Sequence, residues 1–147
     1  MTPKDIYVGT ATSALAGYQL LEEQLKEYLD MYYGIIRTLL NGRVFFDFSR
    51  DDINKAPLGR LLHLFSKTCA NKELIARVRA LVGHRDEMAH QAFLCLYQPG
   101  TKDEDYIALS KKTSERSSEI ANVMRDVIAE MVVVNEALTT TISEILQ

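Results

Sequence analysis

The chain has 147 residues, 47% of them hydrophobic and 25% charged, with a formal net charge of -3. That size supports one domain with its own core, and the acidic balance excludes a generic basic nucleic-acid coat. No run of about eighteen apolar residues is present and Met1-Thr2-Pro3-Lys4-Asp5 is no secretory leader, so a cytoplasmic protein without membrane association is expected.

Thr2-Pro3-Lys4-Asp5 has the form of a helix start: Thr2 as N-cap, Pro3 in the first turn and an acid three residues after the cap. Ala11, Ala14, Tyr18, Leu21, Leu25, Tyr28, Tyr32, Ile35 and Leu39 then alternate by three and four, a narrow seam like that of a coiled coil or helical bundle. Glu22, Glu23, Lys26, Glu27 and Asp30 occupy the opposite, solvent-facing side. Asn41-Gly42 is a C-terminal stop.

The pattern dissolves from Arg43 to Ala56. Val44-Phe45-Phe46-Asp47-Phe48 predicts a loop whose phenylalanines plug one end of the bundle. Pro57 opens a second helix with Leu58, Leu61, Leu62 and Phe65 inward. Asn71 caps a third, Lys72 to Tyr97. Gln98-Pro99-Gly100 is a sharp turn, and Thr101-Lys102-Asp103-Glu104 a second capping box. The rest is helical, with a seam of Ile120, Met124, Val127, Met131, Val134, Leu138, Thr141 and Ile145. The stretch Lys111 to Glu119 is polar all round. It predicts either an overhang into solvent or a break between two helices.

The expected fold is all-α: a single domain, 1–147, forming an antiparallel four-helix-type bundle with long first and last helices. Those helices, at roughly 55 and 65 Å, outrun a monomer core, and Tyr28, Tyr32 and Tyr33 suit an interface. A homodimer is therefore expected, although the same tyrosines would also fill a monomer core. Cys69 and Cys95 have no CxxC or metal-ligand spacing and read as reduced core thiols. No metal or other cofactor is expected.

The third helix carries the candidate chemistry in Gly83-His84-Arg85-Asp86-Glu87-Met88-Ala89-His90. Its seam runs Leu74, Val78, Leu81, Arg85, Met88, Ala92, Cys95, so Arg85 stands where an apolar residue belongs. A charge there must be paired or must open onto a polar cleft. Upstream, Arg60, Lys67, Lys72, Arg77 and Arg79 face a single acid, Glu73, a local basic segment able to hold an anion. A solvated helix face is the plainer reading of the same charges.

Arg85-x4-His90, with Asp86 directly after the arginine and Leu58-Gly59-Arg60-Leu61-Leu62 upstream, resembles the signature of HEPN domains. These are helical bundles, usually dimeric, many of them metal-independent RNases of toxin or defence systems. The resemblance implies a catalytic set of Arg85, Asp86 and His90, with RNA contacts from Arg60, Lys67, Arg77 and Arg79. It also implies RNA as substrate and leaves room for an antitoxin or other regulatory protein partner. An imidazole transfers protons near neutrality. A guanidinium fork suits phosphate oxygens, and Asp86, four residues before His90, shares its helix face. Arg85 and His90 lie about 140° apart around the helix, so two chains rather than one would aim both at one phosphate. Gly83 would let a second backbone approach or bend the helix. The tyrosine two residues after the histidine, the modified residue in one toxin subgroup, is here Ala92, which argues against that mode of control.

Other readings of these residues differ. His84-Arg85-Asp86 echoes a kinase catalytic loop but has Gln91 where asparagine belongs. Glu87-x-x-His90 has di-iron spacing but occurs once. Arg85 paired to a neighbouring helix, with His90 merely on the surface, would be structural. The bundle would then be a non-catalytic dimeric interaction or regulatory module. His63 reads as a hydrogen-bonded histidine at the core edge.

Overall fold

The computed structural model describes residues 1–147. It contains helices and no strand: α1 (Pro3–Leu40), α2 (Arg50–Asn54), α3 (Leu58–Thr68), α4 (Lys72–Gln91), a 3-10 turn (Leu94–Leu96) and α5 (Asp103–Ile145). No helix is long and apolar enough to cross a membrane.

The α1 start is as expected. The Asp5 backbone N–H donates to the Thr2 hydroxyl at 3.2 Å, and the Asp5 carboxylate accepts from the Thr2 N–H at 2.9 Å. The Thr2 hydroxyl, donating to the Asp5 carboxylate at 2.7 Å, and then the Thr2 N–H hold that carboxyl below its ordinary range. Asn41 closes the helix at φ 45°, a left-handed turn that asparagine tolerates. The loop expected over 43–56 contains α2. Its start lay in Ser49-Arg50-Asp51-Asp52, where the Asp52 carboxylate accepts from the Ser49 N–H and hydroxyl at 2.9 and 3.0 Å. Arg50 then binds Glu27 at 2.7 Å and Asp30 at 3.2 Å, holding α2 to α1. Phe46 and Phe48 pack on Tyr33, whereas Phe45, 90% exposed, plugs nothing.

Contacts along the two long helices ascend together. Tyr7 lies beside Tyr106, Thr113 donates to Thr10, Gly17 abuts Ile120, and Gln24 approaches Met131. Thus α1 and α5 run parallel, side by side for most of their length. The helices between them descend. Tyr28 packs edge-on to Phe65 with ring centroids 4.8 Å apart, and its hydroxyl donates to the Thr68 carbonyl. Further down, Arg77 reaches Glu119 and Asp126, and the Tyr7 hydroxyl donates to the Ala92 carbonyl. The antiparallel four-helix-type bundle is corrected accordingly. At about 16 Å and about 30 Å, α3 and α4 are each too short to span α1, so they form one return stroke bent at Cys69–Asn71. The path is up, back and up again.

One core holds Leu21, Leu25 and Tyr28 of α1, Phe65 of α3, Val78 and Leu81 of α4, and Ile120, Val123 and Val127 of α5. A smaller one at the N-terminal end of α1 holds Tyr7, Ala11, Ala92 and Tyr106. Lys26, expected in solvent, is 7% exposed, and its ammonium lies 3.1 Å from Glu22 and 2.8 Å from Glu23. His63, expected at the core edge, is exposed. Beyond Leu29 no α1 residue is fully buried, and Val132, Val133 and Ile145 of α5 are exposed, as is Leu146 just after it.

Candidate functional site

Two faces of α4 diverge at the motif. His84, Glu87, Met88 and Gln91 recur at helical spacing and look toward α5. Leu109, Lys112, Thr113 and Arg116 of α5 repeat at three and four and look back. Between them lies a cavity of about 520 Å³, closed at one end by Leu94, Cys95 and Gln98 and lined also by Tyr7 and Ala92. The polar stretch 111–119 is therefore neither overhang nor break. α5 runs through it unbroken, with Lys112 and Arg116 on the cavity. Thr113, buried, donates to Thr10 at 2.7 Å.

The expected third helix to Tyr97 stops at Gln91. Tyr7 takes the Ala92 carbonyl as the helix ends, and the chain turns into the 3-10 segment that closes the cavity. Burial first, and the neighbouring Cys95 thiol second, push the Tyr7 phenol up to about 12, so it stays a donor. The Thr101 box also shifts by one residue. The Asp105 carboxylate accepts from the Lys102 N–H at 2.9 Å, while the Thr101 hydroxyl donates to the Cys95 carbonyl at 3.0 Å.

Charge in the cavity is uneven. Glu87 lies 3.8 Å from His84 Nδ1 and 3.9 Å from Lys112 Nζ. Arg116, half-buried, has no acidic partner within ion-pair distance. The Tyr18 hydroxyl, also buried, has no hydrogen-bond partner. Burial raises its pKa, and the charges of Arg116 and Glu87 both act on it.

The motif residues lie outside this cavity. Arg85 is on the α4 seam, but its side chain is 41% exposed and only Asp86, at 3.5 Å, is near its guanidinium. It is therefore neither a buried ion pair to another helix nor the floor of the cavity. Asp86 and His90 are exposed on the outer face, with no hydrogen bond or ion pair between them. That face also carries Lys72 and Arg79, seven residues apart and exposed. No neighbour approaches Gly83, and the helix passes through it without a break.

Of the proposed RNA contacts, Arg60, Lys67 and Arg79 are exposed and unpaired. Arg77 is committed elsewhere, to Glu119 at 3.3 Å and Asp126 at 2.5 Å. The Asp126 hydrogen bond leads the causes that raise its pKa. Arg77 is a clamp between α4 and α5 and is withdrawn from the RNA-facing set. No three His, Cys, Asp or Glu side chains converge as a metal site would require. The cavity-lining role of His84, Glu87, Lys112 and Arg116 was missed in the sequence. Its signal was there: two polar helical stripes, one on each side of the Pro99 turn. Compared with known protein families, with curated proteins and with solved structures, the chain matches none.

Proposed function

We propose that this chain is a HEPN-like RNA-binding protein, a metal-independent endoribonuclease whose site is completed when two copies bring Arg85 and His90 together. The observation that carries the reading is the state of Arg85. It interrupts an apolar stripe, keeps much of its guanidinium in water and has no partner on another helix. Such an arginine is free to take a phosphate, and its planar fork suits two phosphate oxygens. Lys72 and Arg79 lead along the outer face of α4 to Asp86 and His90 and offer a backbone-tracking stripe. His90 takes the proton of the RNA 2'-hydroxyl as that oxygen attacks its own phosphate, the P–O5' bond breaks, an imidazolium returns a proton to the leaving 5'-oxygen, and Arg85 holds the developing charge. Asp86 turns toward His90 when the site assembles. A toxin or defence role, with an antitoxin as regulator, follows from the family resemblance alone.

Three outcomes are expected of purified protein given mixed cellular RNA. Cleavage persists in EDTA, leaves 2',3'-cyclic phosphate ends and spares DNA of the same sequence. His90→Ala lowers the rate by about a hundredfold or more, the usual worth of general acid–base catalysis. Absence of both cleavage and RNA binding would sink the proposal.

A second reading, a non-catalytic dimeric regulatory module, is favoured by the other end of the molecule. There Met131, Val134, Leu138 and Ile142 are only half-buried, with Val132, Val133 and Ile145 exposed beside them. RNA-independent dimerisation with no nuclease activity would select it.

A further inference from the structure

We propose that the cavity between α4, the 3-10 turn and α5 binds a small amphipathic organic anion, a single carboxylate carried on an apolar body. The proposal is independent of the RNA reading, since neither Arg85 nor His90 lines the cavity.

At about 520 Å³ the cavity falls in the range of small-molecule sites, roughly 300 to 1,000 Å³. Its wall on α5 carries two cations one turn apart. Lys112 is already near Glu87 at 3.9 Å. Arg116 is half-buried and unpaired. A guanidinium partly withdrawn from water without a counter-charge is unfavourable, and an anionic oxygen relieves it through a charge-assisted hydrogen bond. Glu87 on the facing wall repels additional negative charge and limits the ligand to one anionic group. Met88, Ala92 and Leu109 supply an apolar floor, continued by Leu94 at the closed end, while His84, Gln91, Gln98 and Thr113 add neutral polar groups to the lining. Cation and apolar floor together select a carboxylate with a hydrocarbon or aromatic body over inorganic phosphate or a nucleotide.

Decanoate, kept below its micelle concentration, is the probe. Isothermal titration of the full chain is expected to give one saturable site. Affinity should rise along hexanoate, octanoate and decanoate, and decanol and decyltrimethylammonium should bind at least tenfold more weakly. Arg116→Gln should weaken decanoate about tenfold, the worth of one charge-assisted hydrogen bond, with an unchanged helical circular-dichroism spectrum. If that variant melts early, Lys112→Gln, on an exposed side chain, should still show a severalfold loss. Equal binding of decanol and decanoate would overturn the proposal. So would several weak sites, full affinity in both variants, or displacement of decanoate by adenosine monophosphate.

Discussion

Arg85 and Tyr18 illustrate opposite fates for a polar group on a packing stripe. Arg85 keeps solvent, so Arg85→Ala should change stability by less than about 0.5 kcal/mol in urea unfolding. A loss near 3 kcal/mol would mean a buried partner. Tyr18 is 2% exposed and its hydroxyl bonds to nothing. Tyr18→Phe removes that unsatisfied group and should stabilise the chain by about 1 kcal/mol. Tyr7 and Tyr28 set the alkaline limit. Burial is the leading cause for both, raising Tyr28 and taking Tyr7 from 10.0 to about 12. A phenol that holds its proton more tightly when folded contributes fully below the unfolded value. That contribution drains away as pH climbs through the folded one. The melting temperature should therefore be flat to about pH 10 on this account and fall between about 10 and 12, less steeply in Tyr7→Phe.

The helices depend on one ionic clamp and one tight crossing. Arg77 ties α4 to α5 through two carboxylates that are each more than a third exposed. Screening limits such a network, so Arg77→Ala should cost about 1 kcal/mol, and less in molar salt. At Gly17 an added Cβ would sit 3.3 Å from two carbons of Ile120, itself fully buried. Gly17→Val should overpack this crossing and cost about 2 to 3 kcal/mol, read from thermal melts. Element boundaries were legible wherever a local rule decided them. Thr2 with Asp5, Asn41 before Gly42, and Asn71 all cap helices as their sequence implies. Boundaries decided at a distance were not. α4 ends six residues short of Tyr97 as it meets Tyr7, 85 positions away from Ala92, and no local signal marks that. The five-residue α2 was legible in principle, but its capping acid was hidden in a run of polar residues.

Periodic seams identify which face of a helix packs, not which way its partner runs. An alternating three-four stripe reads the same in both directions, so the parallel course of α1 and α5 had no sequence signature. The cavity was hidden for a related reason. It exists only because that parallel register brings Lys112 and Arg116 opposite His84 and Glu87. The unsealed C-terminal ends of α1 and α5 lie far from Arg85 and His90, so a dimer formed through them belongs to the regulatory reading. Sedimentation at micromolar concentration should give twice 16.7 kDa, and Val133→Glu with Ile145→Glu should return the monomer. The parallel pairing also bears on how the chain finds its fold. Helical bundles usually fold fast because their contacts are local in sequence. Here the longest interface joins residues 103 and 107 positions apart, a closure that cannot be rewarded until the return stroke is in place. Stopped-flow refolding should therefore be slower than for an up-down-up-down bundle of equal length. Substitutions across the α1–α5 crossing should accelerate unfolding and leave the folding limb of the chevron nearly unchanged.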